Sequence, residues 1–95
     1  MENNFKEFIA VLARTSENKE IEELLKSLLT PAEIRDIGAR WQIVKMLEQG
    51  ISQRKIAREL HVSLCKITRG SKELKKKNSL LKTVIQEITA QEDNA

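Results

Sequence analysis

The 95-residue chain carries 17 Lys and Arg against 14 Asp and Glu, a formal charge of +3, and 40% of it is apolar. A single domain spanning residues 1–95 fits that length, while one Cys (Cys65) excludes an internal disulfide and one His (His61) makes a structural zinc site unexpected. No apolar run approaches the roughly 20 residues of a membrane span, and the acidic, polar start at residues 1–4 shows no secretory signal, so a cytoplasmic protein is expected.

With 3 Gly, 1 Pro and no Tyr, the chain favours helices. Phe5, Phe8, Ile9 and Leu12 recur at helical spacing and predict a first helix that fades at Arg14. Thr15 or Ser16 is expected to cap a second helix, whose apolar face holds Ile21, Leu24, Leu25, Leu28 and Leu29. Thr30-Pro31-Ala32-Glu33 is the strongest local signal. Thr30 suits the N-cap, Pro31 the first helical position, and Glu33 the third, which closes a capping box.

A third helix is predicted from Pro31 to about Gln49. Ile34, Ile37, Trp41, Val44 and Leu47 form its main stripe, and Ile43 and Met46 lie off it. So much apolar girth demands several neighbours, which suits an interlocked dimer. Gly50 is expected as an αL cap. Ser52 begins a short fourth helix to Leu60, and His61-Val62 is a tight connection. Ser63 begins a fifth helix through about Lys75, and Lys75-Lys76-Lys77-Asn78 is a polar break. Leu80, Leu81, Val84, Ile85 and Ile88 mark a sixth, with Gln91–Ala95 as a frayed tail. The expectation is all-α: core helices over about 3–49 and 78–91, with a helix-turn-helix over about 52–75.

Charge is segregated along the chain. Residues 1–51 and 78–95 are each net −2, whereas residues 52–77 hold 9 basic and 2 acidic side chains, net +7. A focused cationic stretch of this kind gains affinity for a polyanion through counterion release. A merely solvated basic face is the bland alternative, and it would make the chain a helical protein-interaction module.

Residues 53–69 fit a helix-turn-helix. Ile56 and Leu60 face inward, Ala57 is small where the helices cross, Val62 plugs the turn, and Ile67 packs back. His61 stands where many such turns have Gly and must adopt αL; it reads as an exposed turn residue rather than a metal ligand or pH switch. Cys65 reads as a small residue near DNA rather than a redox sensor. No carboxylate pair, Ser/His/Asp set or phosphate-binding glycine loop can be assembled, so no enzyme is expected.

Leu28-Leu29-Thr30-Pro31-Ala32-Glu33, Gly38-Ala39-Arg40, Ser52-Gln53-Arg54-Lys55 and above all Ile67-Thr68-Arg69-Gly70-Ser71-Lys72-Glu73-Leu74-Lys75 resemble the tryptophan repressor family. The resemblance is close from about Leu24 to Lys75. It implies a six-helix, intertwined homodimer that binds a double-stranded DNA operator, with no cofactor beyond L-tryptophan as corepressor. Such a protein represses genes of tryptophan biosynthesis or uptake.

Carried over by residue, the resemblance implies that Arg40 and Arg69 sandwich the indole and that Arg69 and Thr30 hold the carboxylate. Ser27 and Leu29 offer backbone carbonyls to the ammonium group, and Gly70 lets the ligand approach the backbone. It further implies that Arg54 contacts a guanine edge, with Leu64 and Cys65 against the groove. Gln53, Lys66, Thr68, Ser71, Lys72 and Lys75 would be phosphate or groove-edge contacts. A surface ion pair with Asp36 is the plain alternative for Arg40, and core packing for Trp41. Three departures stand out: Glu73 where a small hydroxyl residue is frequent, Ser27 where Leu is common, and a shorter link at Gly50-Ile51-Ser52. Glu73 can pair with a ligand ammonium or crowd its carboxylate. A regulator of the same fold that ignores tryptophan, or senses another indole or amino acid, is the nearer alternative.

Overall fold

Six helices and no strand make up the backbone of residues 2–93, which the computed structural model describes; side chains are described for residues 3–91. The helices are α1 (Glu2–Arg14), α2 (Asn18–Leu28), α3 (Pro31–Glu48), α4 (Gln53–Leu60), α5 (Leu64–Lys75) and α6 (Leu80–Asp93). The chain divides into two units, residues 1–35 and residues 36–95.

In the first unit, α1 and α2 follow the apolar spacing, but the cap between them differs from expectation. Glu17 holds the N-cap position of α2 and makes no side-chain cap bond. Thr15 lies two residues before that position, and its hydroxyl donates back to the Val11 carbonyl at 2.7 Å. Leu29 has left the helix as its C-cap, with extended backbone and its N–H donating to the Leu25 carbonyl. The capping box then forms in both directions. The Glu33 N–H donates to Thr30 Oγ1 at 3.1 Å, and the Thr30 N–H donates to Glu33 Oε1 at 2.8 Å. The Thr30 N–H most, and the Thr30 hydroxyl second, hold the Glu33 carboxyl below its ordinary value.

In the second unit, α3 splits its apolar surface between two clusters. Ile43 and Met46 pack with Ile56 and Ile67, while Val44 packs with Leu74 and Ile85; Leu47 touches both clusters. The burial therefore falls on Ile43, Val44 and Met46, and the expected stripe is open at its N-terminal end. Ile37 is 52% and Trp41 39% exposed within the single chain. Within the single chain Trp41 is therefore partly exposed rather than fully in the core.

Gly50 closes α3 at φ +87°. Its N–H donates to the Leu47 carbonyl, and that of Ile51 to the Met46 carbonyl. Residue 50 must turn left-handed, which Gly does without steric cost. Asn78 makes the same left-handed turn before α6, at φ 57°, and Ser79 caps that helix through the Lys82 N–H at 3.1 Å. The expected frayed tail is corrected in part: α6 continues through Gln91 to Asp93, because no Gly or Pro interrupts it. Residues 94 and 95 of that tail lie outside the described residues.

Candidate ligand and nucleic-acid interface

The reading head is built by two serine caps and one left-handed residue. Ser52 Oγ accepts from the Lys55 N–H at 3.2 Å and starts α4. Ser63 Oγ accepts from the Lys66 N–H at 3.4 Å and starts α5. Between them His61 takes φ 54°, ψ 44°. The five positions expected to pack do so in one cluster: buried Ile56 and Ile67, with Ala57, Leu60 and Val62 against them.

The charged flank of α5 follows from that packing. Leu64, Cys65, Lys66, Thr68 and Lys72 border one broad, open groove together with Arg69 and Glu73. Arg54 on α4 and Lys75 at the end of α5 are exposed. Gln53 and Thr68 are half-buried, and the Thr68 hydroxyl donates to Gln53 Oε1 at 3.4 Å, which ties the two helices. Ser71 differs from expectation: it is only 9% exposed, because it falls on the inward side of α5 with Ile67 and Leu74.

A cavity of about 260 Å³ adjoins this groove and shares Lys66, Arg69 and Glu73 with it; its volume is just below the roughly 300–1,000 Å³ of small-molecule pockets. Arg40, Arg69, Gly70 and Glu73 all line it. Ile37, Trp41, Ile43 and Val44 of α3 and Leu81 of α6 supply its apolar wall, and Lys66 its rim. Gly70 allows the close seating of α5 on α3, since a Cβ there would lie 3.1 Å from Val44 Cγ1. The other three ligand candidates belong to the first unit. The Ser27 hydroxyl donates to the Glu23 carbonyl at 2.7 Å, Leu29 is the cap of α2, and Thr30 is engaged in the capping box.

Three cations border the cavity, and their partners differ. Asp36 takes two of them: Arg40 Nη2 at 3.1 Å and Lys66 Nζ at 2.9 Å. The Lys66 bond, and secondarily the Arg40 charge, hold the Asp36 carboxyl below its usual range. Among the described residues, Arg69 has no carboxylate partner. Its guanidinium remains available to an anionic ligand group. Glu73 pairs with Lys76, with Oε1 at 3.0 Å and Oε2 at 2.9 Å from Nζ.

The Arg40–Asp36 pair sits at the four-residue spacing foreseen from sequence. The Asp36–Lys66 pair, 30 residues apart, carried no sequence signal, and neither did Leu81 at the cavity wall. Among the described residues, no helix is long and apolar enough to cross a membrane.

A family model described as Trp repressor protein matches residues 3–89. A Trp operon repressor homolog of Chlamydia trachomatis serovar L2 is 30% identical over 86 residues, covering 90% of this chain and 92% of that protein. One of Vibrio campbellii is 35% identical over 89 residues, 88% and 89% of the two chains. One of Xylella fastidiosa is 35% identical over 78 residues, 81% and 85%.

Proposed function

The chain belongs to the Trp repressor family, and on that footing we propose that it is a cytoplasmic, homodimeric repressor switched on by L-tryptophan. In this reading residues 1–95 act as one domain. The dimer binds an operator duplex at genes of tryptophan biosynthesis or uptake.

One observation carries the reading: the same helix borders both the ligand cavity and the basic groove. Gly70 lines the cavity, Thr68 and Lys72 border the groove, and Lys66, Arg69 and Glu73 line both. A ligand that seats against α5 therefore acts on the orientation of the groove side chains without an intermediary. The apolar wall suits a flat ring, Arg40 and Arg69 suit stacking over it, and the unpaired fork of Arg69 suits a carboxylate. Ser27, Leu29 and Thr30 are proposed as ligand residues on the family resemblance alone. On the DNA side the set is Gln53, Arg54, Leu64, Cys65, Lys66, Thr68, Lys72 and Lys75; the burial of Ser71 removes it as a phosphate contact.

Isothermal titration of L-tryptophan into the folded apo-protein tests this, with indole and L-tyrosine as controls. Selective, saturable binding near one ligand per chain is expected, and Arg69→Ala should abolish it while the circular dichroism spectrum is kept. Unchanged affinity in Arg69→Ala would place the ligand elsewhere.

A further inference from the structure

We propose that the Asp36–Lys66 ion pair is a strap that fastens the first turn of α5 to α3 in the ligand-free protein, so that the reading head is held in place before the cavity takes any ligand.

The two halves of α5 are anchored differently. Leu74, in the second half, is 6% exposed and packs with Val44 and Ile85. Ile67 is fully buried with Ile43, Met46 and Ile56. Before Ile67 the apolar anchoring stops: Leu64, Cys65 and Lys66 are all exposed. On this side the cavity separates the helices, bordered by Ile37, Arg40 and Trp41 of α3 and by Lys66, Arg69 and Gly70 of α5. Side chains that do not meet gain no dispersion energy across such a gap. The first turn of α5 also lies about 15 Å along the helix from the Leu74 anchor, so a small swing of α5 displaces it most.

Lys66 spans that gap. Its Nζ lies 2.9 Å from Asp36 Oδ1, 30 residues away in the chain. Arg40, one turn further along α3, holds the other carboxylate oxygen at 3.1 Å, which fixes the direction in which Asp36 faces. The Asp36 and Lys66 side chains are 35% and 42% exposed, so water screens the pair only in part, and a network of three charges holds better than an isolated surface pair. The bond lands on the turn whose Leu64, Cys65 and Lys66 border the basic groove. It supplies a polar tie to α3 where apolar packing supplies none. Local opening begins where buried contacts are fewest, and here that is the turn the strap holds.

The experiment is amide hydrogen exchange, followed by NMR, on the full chain dialysed free of small molecules; its outcome is therefore independent of which ligand the cavity takes. Wild type, Asp36→Asn, Lys66→Gln and the double variant are compared, with circular dichroism showing each folded. The Thr68 and Arg69 amides report the first turn of α5, and the Leu74 amide reports its anchored half. Each single variant should speed exchange at Thr68 and Arg69 about two- to fivefold relative to Leu74, and the double variant should be no faster than either single one. Exchange unmoved by either substitution overturns the strap. Equal acceleration at Leu74 overturns it too, because α5 is then loosened as a whole. Additive acceleration in the double variant overturns it as well, because the two side chains then act separately.

Discussion

A methyl group added at Gly70 measures how firmly α5 is seated on α3. The new Cβ would lie 3.6 Å from Ile43 Cγ2 and Leu47 Cδ1, which is ordinary contact, but 3.1 Å from Val44 Cγ1. That last distance is a few tenths of an ångström inside the optimum for two carbons. Val44 is 5% exposed, packs with Leu74 and Ile85, and is stiff about χ1. It yields poorly, so the overpacking costs about 1–3 kcal/mol. Against this, Ala is favoured over Gly inside a helix by about 0.8–1.0 kcal/mol. The net expectation for Gly70→Ala is a loss of about 1 kcal/mol, a fall in Tm of about 4–8 °C for a domain of this size. Thermal melts at one fixed protein concentration measure it. In a Val44→Ala background the clash is gone, and the same substitution should stabilise by the helix preference alone. A higher melting point for Gly70→Ala with Val44 intact would refute the argument for close seating.

Arg54→Ala is expected to weaken binding to a cognate duplex by about 1–3 kcal/mol and to relax its sequence preference; competition against altered duplexes checks this, and an equal loss on every sequence would demote Arg54 to a phosphate contact. Asp36→Asn frees Lys66 from its bond across to α3, so the slope of log affinity against log salt should steepen by about 0.9 per chain for one phosphate gained. An unaltered slope would show that Lys66 reaches no phosphate once released. The same carboxyl also has an acid signature. Its folded value is depressed below the ordinary 3.8, so its contribution to stability is complete above the unfolded value and disappears as pH falls through the folded one. The stability gap between wild type and Asp36→Asn should therefore begin to narrow below pH 3.8 and vanish once pH is below the folded value, and a gap that never narrows in acid would exclude the ion pairs as its source.

What could be read from the sequence was local. The capping box at Thr30 and Glu33, the serine caps at 52 and 63, and the left-handed turns at Gly50 and His61 all involve residues at most four apart, where spacing alone fixes the partner. The helix-turn-helix packing was legible for the same reason, since Ile56, Leu60, Val62 and Ile67 recur at helical spacing around one turn. Competition between local options was less legible: Thr15 and Ser16 both offer a hydroxyl, yet α2 starts at Asn18 and its N-cap position falls on Glu17. Ser71 sits in a run of polar residues, yet its angular position beside Ile67 and Leu74 buries it. Contacts across the chain were beyond reach. The pairing of Asp36 with Lys66 and the arrival of Leu81 at the cavity depend on how α3, α5 and α6 meet, which no single segment encodes. The cavity candidates Arg40, Arg69, Gly70 and Glu73 came from a family resemblance rather than from spacing, and the structure brings these four together.

The segregation of charge has a kinetic meaning for a protein that must find a site on a duplex. Nine cations fall within residues 52–77 while the flanking stretches are each net negative. A nearby polyanion attracts the first stretch and repels the others, so approach is favoured through residues 52–77. The encounter rate then depends on ionic strength even where the base sequence is wrong, while the residence time is left to the first turn of α5 in the groove. Finding and recognising are thereby delegated to different atoms. In the proposed complex with DNA, the charged ends of flexible side chains would perform the first, and the backbone around Ser63 and Leu64 the second.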